Sequence, residues 1–343
     1  MTVTTEVPCI GATKTLVPFR RIFLTGGSGY VGRNLIRHFR DRNIEVVALV
    51  RSAASAETVQ DLGAAPYHGD ILSSDIVEGM TGCDALIHAA ADTNHGPGTR
   101  VQTRVNEDGT RIVFEAACKA GIRRAIHISS ESVLADGRPL VHVDESAKLP
   151  RKPAGNYSRS KAAAERIALA SNRPGFAVVA LRPRLVWGRD DTTALPQLCA
   201  AARSRKFAWI DGGTYLTSTT HVANLCAAVE LALLEGRAGE VYFVSDGEPV
   251  AFREFVSQLL ETQGIEPTDK TVPRRLLRVV ASVGDFIAAL SGGRVKPPLT
   301  LQAYATSAVE VTLDIGKARR ELGYVPVMAR EEGLAEMRSA QHG

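Results

Sequence analysis

The sequence predicts an α/β protein: a doubly wound parallel sheet followed by a smaller C-terminal α/β lobe. Three observations carry this. Short apolar or β-branched runs alternate with Ala- and Arg-rich stretches of helical character as far as about residue 188. Such runs, separated by helices, are what βαβ units with a sheet covered on both faces require. A glycine-rich turn follows the first run and opens the first helix, at residues 25–32. With 343 residues, 45% hydrophobic and 23% charged, the chain has the length of about two domains and enough apolar residues for a full core. This composition excludes a disordered, collagenous or coiled-coil chain.

In order along the chain, residues 21–25, 44–50, 85–88, 124–129 and 176–181 read as buried strands. Residues 30–42, 100–120 and 157–170 read as the intervening helices. Beyond residue 188 the rhythm loosens. Helices are expected at 195–205, 223–234, 252–263 and 273–290, with a strand at 241–245. The domain reading is a flexible extension over 1–19 and a dinucleotide-binding domain over 20–188, to which 219–248 returns. A substrate-binding lobe is then made from 189–218 and 249–340.

Forty-one basic against thirty-seven acidic residues leave a net charge of +4 with no basic stripe, which argues against a nucleic-acid partner. The five cysteines (Cys9, Cys83, Cys118, Cys199, Cys226) are widely spaced and form no C-x-x-C pair. They read as reduced thiols of a cytoplasmic protein. No signal-peptide pattern opens the chain, and no apolar run reaches the ~18 residues of a membrane span. The nearest, 276–290, is interrupted by Ser282, Gly284 and Asp285. His88, His127, His142 and His221 lack metal-ligand spacing, so no metal site is expected.

The first chemical signal is Thr25-Gly26-Gly27-Ser28-Gly29-Tyr30-Val31-Gly32. A turn without Cβ atoms lets a pyrophosphate approach backbone N–H groups at a helix N-terminus. The second strand ends Ala48-Leu49-Val50-Arg51-Ser52, without the acidic residue that holds an adenosine ribose in many dinucleotide sites. Arg51 suits a 2′-phosphate; the alternative is a solvated surface arginine. The reading favoured is NADP(H) over NAD(H). The third signal is Tyr157-Ser158-Arg159-Ser160-Lys161. Residues four apart share a helix face, and an ammonium beside a phenol favours the phenolate. Ser129-Ser130-Glu131-Ser132 ends the strand before it, at the carboxyl edge where parallel sheets place ligands.

Together these residues resemble the extended short-chain dehydrogenase/reductase superfamily over roughly residues 20–340, with a Rossmann sheet. Gly69-Asp70-Ile71, His88-Ala89-Ala90-Ala91, and Val105-Asn106-Glu107-Asp108-Gly109-Thr110 stand in that family's order. So do Leu181-Arg182-Pro183-Arg184-Leu185-Val186-Trp187-Gly188 and Ala318-Arg319-Arg320-Glu321-Leu322-Gly323-Tyr324. The resemblance implies Tyr157 as acid/base, Lys161 as its electrostatic partner and ribose anchor, and Ser130 as orienter of the carbonyl. Asn106 would support a relay water. It implies cofactor contacts from Gly26, Ser28, Gly29, Tyr30, Val31, Gly32, Arg51, Asp70, Ile71, Ala89, Ala90 and Pro183, besides Tyr157 and Lys161. Thr93, Ser132, Trp187 and His221 are the candidate substrate contacts. A homodimer through the helices around 100–120 and 157–170 is usual for such relatives.

Nucleotide-sugar epimerases and dehydratases of this superfamily carry an arginine four residues before the histidine of the segment around His221. Here that position is Thr217, and Asn224 stands where the family has an aspartate. Both features resemble the 3β-hydroxysteroid and sterol dehydrogenase branch. The implied reaction is hydride transfer between a nicotinamide and a hydrophobic ketone or secondary alcohol. Leu276, Leu277, Val279, Val280, Val283, Ile287 and Leu290 make one apolar helical face, read as core, as a lid or as an interfacial surface. Trp187, Phe207 and Trp209 read as cleft or core, and Arg184 and Arg189 as anion contacts or exposed. A nucleotide-sugar epimerase with tightly held NAD, a cinnamoyl- or flavonoid-type carbonyl reductase and a non-catalytic NADP sensor are the alternatives. The sensor would be expected to lack Tyr157 or Lys161.

Overall fold

The computed structural model describes residues 19–339 apart from 97, 292–294, 296 and 298; the extension expected over 1–19 therefore lies outside the described residues except for Phe19. Seven strands form the central sheet: β1 (Arg21–Thr25), β2 (Glu45–Val50), β3 (Ala65–His68), β4 (Ala85–His88), β5 (Arg124–Ile128), β6 (Ala177–Pro183) and β7 (Val241–Val244). Every pairing is parallel, in the order β7-β6-β5-β4-β1-β2-β3. Ile22, Phe23, Leu24, Leu86 and Ile87 are at most 1% exposed, as expected of central strands covered on both faces. Leu35, Ile36 and Phe39 of helix Tyr30–Arg40 and Leu225 and Val229 of helix Val222–Leu234 cover one face. Val113, Phe114 and Ala117 of helix Gly109–Lys119, with Met80, cover the other.

The strand order reverses between β1 and β4, so their carboxyl ends splay into a crevice. Gly26 is there, at φ +76°, where an added Cβ would lie 2.8 Å from the Ala90 amide nitrogen. Gly32 is needed for close packing: a Cβ would lie 2.1 Å from the Gly26 carbonyl oxygen.

The helix expected over 100–120 is interrupted. Arg100–Thr103 and Gly109–Lys119 are α-helical, and Arg104–Asp108 between them is a π-turn. Such turns widen a helix by one residue and re-aim a side chain; here Asn106 faces inward, 2% exposed. A second, four-stranded mixed sheet joins three strands of the C-terminal half to Leu140–Val143, in the order Val250–Ala251, Leu216–Thr217, Val311–Leu313, Leu140–Val143. A separate core gathers Trp187, Trp209, Phe255, Leu259, Leu334 and Met337. No helix among the described residues is long and apolar enough to cross a membrane.

Candidate active site

The glycine turn leads into helix Tyr30–Arg40, whose first residues have no side-chain cap. Their amide N–H groups are left for a ligand, the usual basis of anion binding at a helix start. Ser28 and Val31 are half-buried and Gly29 is exposed along this edge. Tyr30 instead turns inward, 5% exposed, with its hydroxyl unpartnered. Thr25 holds the neighbouring turn: its carbonyl accepts the Ala89 amide and its hydroxyl the Ala90 amide, each at 3.3 Å. The Thr25 hydroxyl also lies 2.7 Å from His88 Nδ1, and His88 Nε2 lies 3.0 Å from the Thr110 hydroxyl. Burial depresses the His88 pKa to about 3, so the ring is neutral and serves this chain of hydrogen bonds. Arg51 is exposed at the end of β2, beside Ser52, whose hydroxyl caps helix Ala53–Asp61. Asp70 closes a turn after β3 by accepting the Leu72 amide at 2.9 Å, and Ile71 packs over Gly109. Pro183 ends β6 opposite Val244. The bare amides, the Gly26 cradle and the open guanidinium of Arg51 fit a dinucleotide.

Helix Asn156–Ala170 carries Tyr157 and Lys161. Its first turn is anchored from the C-terminal lobe, where Gln302 Oε1 accepts the Ser158 amide at 3.0 Å. Glu165, one turn beyond Lys161, is 2% exposed; it accepts Arg182 Nε at 2.8 Å, Arg182 Nη2 at 2.6 Å and the Ser129 hydroxyl at 2.6 Å. One carboxylate thus ties the helix to the ends of β5 and β6. Lys161 is 4% exposed and its Nζ donates to the Ile128 carbonyl at 2.7 Å. Burial lowers its pKa to about 8, with Glu165 opposing.

The Tyr157 phenol is pushed up to about 12, by burial first and then by the Glu131 carboxylate; the Ser130 and Ser132 hydroxyls act the other way. Lys161, expected to draw the phenol down, is held by the Ile128 carbonyl, and in the free enzyme burial and the Glu131 carboxylate act in the opposite sense. Ser130 donates to Glu131 Oε2 at 2.8 Å and accepts the Ser132 amide at 3.2 Å. The Ser132 hydroxyl is buried and unpartnered. The His95 ring lies over Tyr157, centroids 4.7 Å apart, and burial keeps it from protonating readily.

Sequence reasoning missed Glu131, His95 and the roles of Arg182 and Glu165. Arg184, read as an anion contact or exposed, is 2% exposed and ion-paired to Glu131 at 2.5 Å. Its Nε also donates to the Thr217 hydroxyl at 3.1 Å and its Nη2 to the Thr306 carbonyl at 3.0 Å. An arginine therefore does reach position 217, from the segment directly after β6, and Glu131 pairs with it. A charged residue directly after a buried strand was the available signal, since a charge there needs a partner.

Asn106 stands one layer back. Its side-chain oxygen accepts the Asp92 amide at 2.7 Å, and its nitrogen donates to the Asp92 carbonyl at 3.1 Å and the Ser160 hydroxyl at 3.0 Å. Thr93 is exposed beside this loop. Trp187 and His221, candidate substrate contacts by sequence, are both 1% exposed and packed edge to face at 4.7 Å. The indole N–H donates to Asp246 at 2.7 Å and His221 Nδ1 caps helix Val222–Leu234, accepting the Ala223 amide. Each is held in core packing, as Trp209 is. Asn224 bridges Asp246 to the backbone of Val327 and Met328, so it anchors the chain before the last helix.

Known proteins resemble the chain over almost its whole length. A ketoreductase of 4-hydroxy-2-methyl-3-oxo-4-farnesyl-3,4-dihydroquinoline-1-oxide from Stigmatella aurantiaca is 48% identical over 322 residues, covering 93% of this chain and 96% of the relative. A 2-alkyl-3-oxoalkanoate reductase from Stenotrophomonas maltophilia is 32% identical, covering 93% and 99%. Among solved structures, MoeE5 in complex with UDP-glucuronic acid and NAD superposes with a TM-score of 0.72 at 26% identity, covering 94% of this chain and 99% of that one. Residues 23–274 match the 3-beta hydroxysteroid dehydrogenase/isomerase family. The chain belongs to that family and is an oxidoreductase of the extended short-chain dehydrogenase/reductase type.

Proposed function

We propose that this enzyme reduces the ketone of a large, apolar, isoprenoid-bearing ring compound, with NADPH preferred over NADH. The observation that carries the reading is the cluster of Tyr157, Lys161, Ser130 and Ser132 at the carboxyl edge of the sheet, beside the glycine cradle. The 48% identity to a ketoreductase of a farnesylated quinoline oxide supports the substrate class. A nicotinamide, when bound, supplies the hydride. Tyr157 Oη gives its proton to the carbonyl oxygen as negative charge develops there, while the unpartnered Ser132 hydroxyl donates to that oxygen; Ser130 joins it by turning its single O–H away from Glu131. Lys161 offsets the charge left on the phenolate. Burial and Glu131 keep the phenol protonated in the free enzyme, the state that reduction requires. Arg51 meets the 2′-phosphate.

A nucleotide-sugar substrate fits less well. Thr217 is fully buried, and the guanidinium that reaches it is already paired with Glu131, so a diphosphate would have to break a buried ion pair.

The test is turnover of a prenylated cyclic ketone with NADPH or NADH, by wild type and by Tyr157→Phe. We expect faster turnover with NADPH and a loss of ~10²–10⁴-fold in the variant, as removal of a general acid costs. Unchanged turnover in Tyr157→Phe would sink the mechanism, and equal use of both cofactors would remove the role given to Arg51.

A further inference from the structure

The helix that carries Tyr157 and Lys161 has no cap of its own. Gly155 stands at the N-cap of Asn156–Ala170, with no side chain to offer the first-turn amides that a Ser, Thr, Asp or Asn there would meet. The cap comes from a distant segment. Gln302, 144 positions along the chain and 1% exposed, brings Oε1 to the Ser158 amide at 3.0 Å. Ser158 is the third residue of the helix, and its amide is one that a local cap takes.

The glycine and the glutamine fit each other. Gly155 has φ −169°, extended backbone that any residue adopts, so its conformation does not call for glycine. Space does. An added Cβ would lie 2.8 Å from Gln302 Cβ and 2.9 Å from Gln302 Oε1, so a side chain able to cap from position 155 would displace the one that caps now. Gln302 Nε2 is buried with no partner among the described residues, and the placement of the side chain therefore follows from its oxygen.

The same segment reaches Tyr157 by a second route. The Thr300 hydroxyl donates to the His95 carbonyl at 2.8 Å, and the His95 ring lies over Tyr157. Asp285 holds the segment by accepting the Leu301 amide at 2.9 Å. On the other flank, Asn156 Nδ2 donates to Gln102 Oε1 at 2.6 Å, and Gln102 Nε2 donates to the Asn94 carbonyl at 2.7 Å, in the loop that leads to His95. Tyr157 thus lies between two neighbours, Asn156 and Ser158, each fastened by a buried glutamine.

We propose that Gln302 is a positioning residue for the reaction: by capping the catalytic helix from outside, it sets where the Tyr157 phenol stands relative to the carbonyl it protonates. The catalytic consequence rests on the reading of Tyr157 as the acid; the cap does not. A displacement of about 1 Å in a reacting group can cost ~10²-fold in rate, and a first turn that frays moves the second residue of the helix directly. Lys161 is held separately by the Ile128 carbonyl, and Glu165 ties down the turn beyond it. Loss of the cap therefore reaches Tyr157 and spares Lys161.

The experiment compares the full-length wild type with Gln302→Met, Gln302→Glu and Gly155→Ser/Gln302→Gly. Met keeps the volume and removes the acceptor, and Glu keeps the acceptor. The double variant moves the cap to position 155, which needs the Gln302 Cβ gone as well. Each protein is read by hydrogen exchange of a peptide spanning 156–160 and by kcat and KM on a prenylated cyclic ketone with NADPH. We expect exchange about five- to tenfold faster in Gln302→Met, as loss of a cap costs, with kcat lowered ~10–10²-fold and NADPH affinity within about threefold of wild type. Gln302→Glu and the double variant should return both the protection and most of the lost turnover. Melting temperatures report the fold, and Gln302→Asn, with its acceptor one methylene short, is read in place of a Met variant that does not fold. Unchanged exchange in Gln302→Met, or faster exchange with kcat unmoved, overturns the proposal. So does a double variant that regains protection without turnover, because Gln302 would then act on the substrate and not through the helix. Turnover in Tyr157→Phe equal to wild type counts against the reading of Tyr157 as the acid, and hydrogen exchange still decides the cap.

Discussion

Replacing Lys161 with Met should remove a pH-dependent part of the enzyme's stability between pH 8 and 10.5. The Lys161 amine is 4% exposed, and burial lowers its pKa from 10.5 to about 8. Between those values the unfolded chain binds the extra proton and the folded one does not, so wild-type stability rises as pH climbs from 8 towards 10.5. Below pH 8 the folded protein carries the full penalty for a buried charge, about 3 kcal/mol at 1.36 kcal/mol per pKa unit. Lys161→Met carries none of it. The stability of the variant relative to wild type should therefore be greatest near pH 7 and shrink by ~2–3 kcal/mol by pH 10. Urea unfolding of both proteins across that range is the assay, and taking the difference cancels groups that titrate alike in each. A difference that does not vary with pH would refute the reasoning. It would mean that Glu165 or water compensates the ammonium so well that the amine titrates as a surface lysine does.

Two further substitutions test the frame of the site. Gly32→Ala puts a methyl where the Gly26 carbonyl oxygen lies 2.1 Å away, so the glycine turn must open; we expect loss of NADPH binding by calorimetry, and retained affinity would show that the cradle is not used. Glu165→Leu leaves the buried Arg182 guanidinium without its carboxylate and should cost ~3–5 kcal/mol in urea unfolding. Glu165→Leu/Arg182→Met should recover most of that loss, and a double variant no more stable than the single one would mean that the pair does not act as a unit.

The central sheet was legible because its strands are almost wholly apolar. β1 and β4 needed no tertiary information, and observed ends differ from the expected ones by a residue or two, as at β5, which stops at Ile128. β3 was invisible for the opposite reason. Ala65-Pro66-Tyr67-His68 is a half-exposed edge strand with a proline, which periodicity cannot distinguish from a loop. The two- to four-residue strands of the second sheet exist only because segments far apart in sequence come into register. Tyr157 and Lys161 were found because a helix fixes the relation of residues four apart. Glu131 and Arg184 are separated by 53 positions, and each alone reads as a solvated charge. The face of helix Arg274–Leu290 was legible as a stripe, but periodicity does not say which side meets the body. Ala281, Gly284 and Ala288 settle that through their burial.

The buried charges near the reacting phenol divide the work between strength and position. Glu165 is pinned by three donors from two strands, so it fixes the helix that carries Tyr157 and Lys161 while its charge favours the ammonium. Glu131 is pinned by Ser130 and Arg184, and its charge disfavours the phenolate. The two carboxylates therefore hold the proton on both Tyr157 and Lys161. In the reduction proposed above, that phenol would be the donor to the carbonyl oxygen, and its reluctance to ionise would be relieved as the oxygen gains charge. Since Arg184 also binds Thr217 and the Thr306 carbonyl, Glu131 is anchored to segments far from it in sequence.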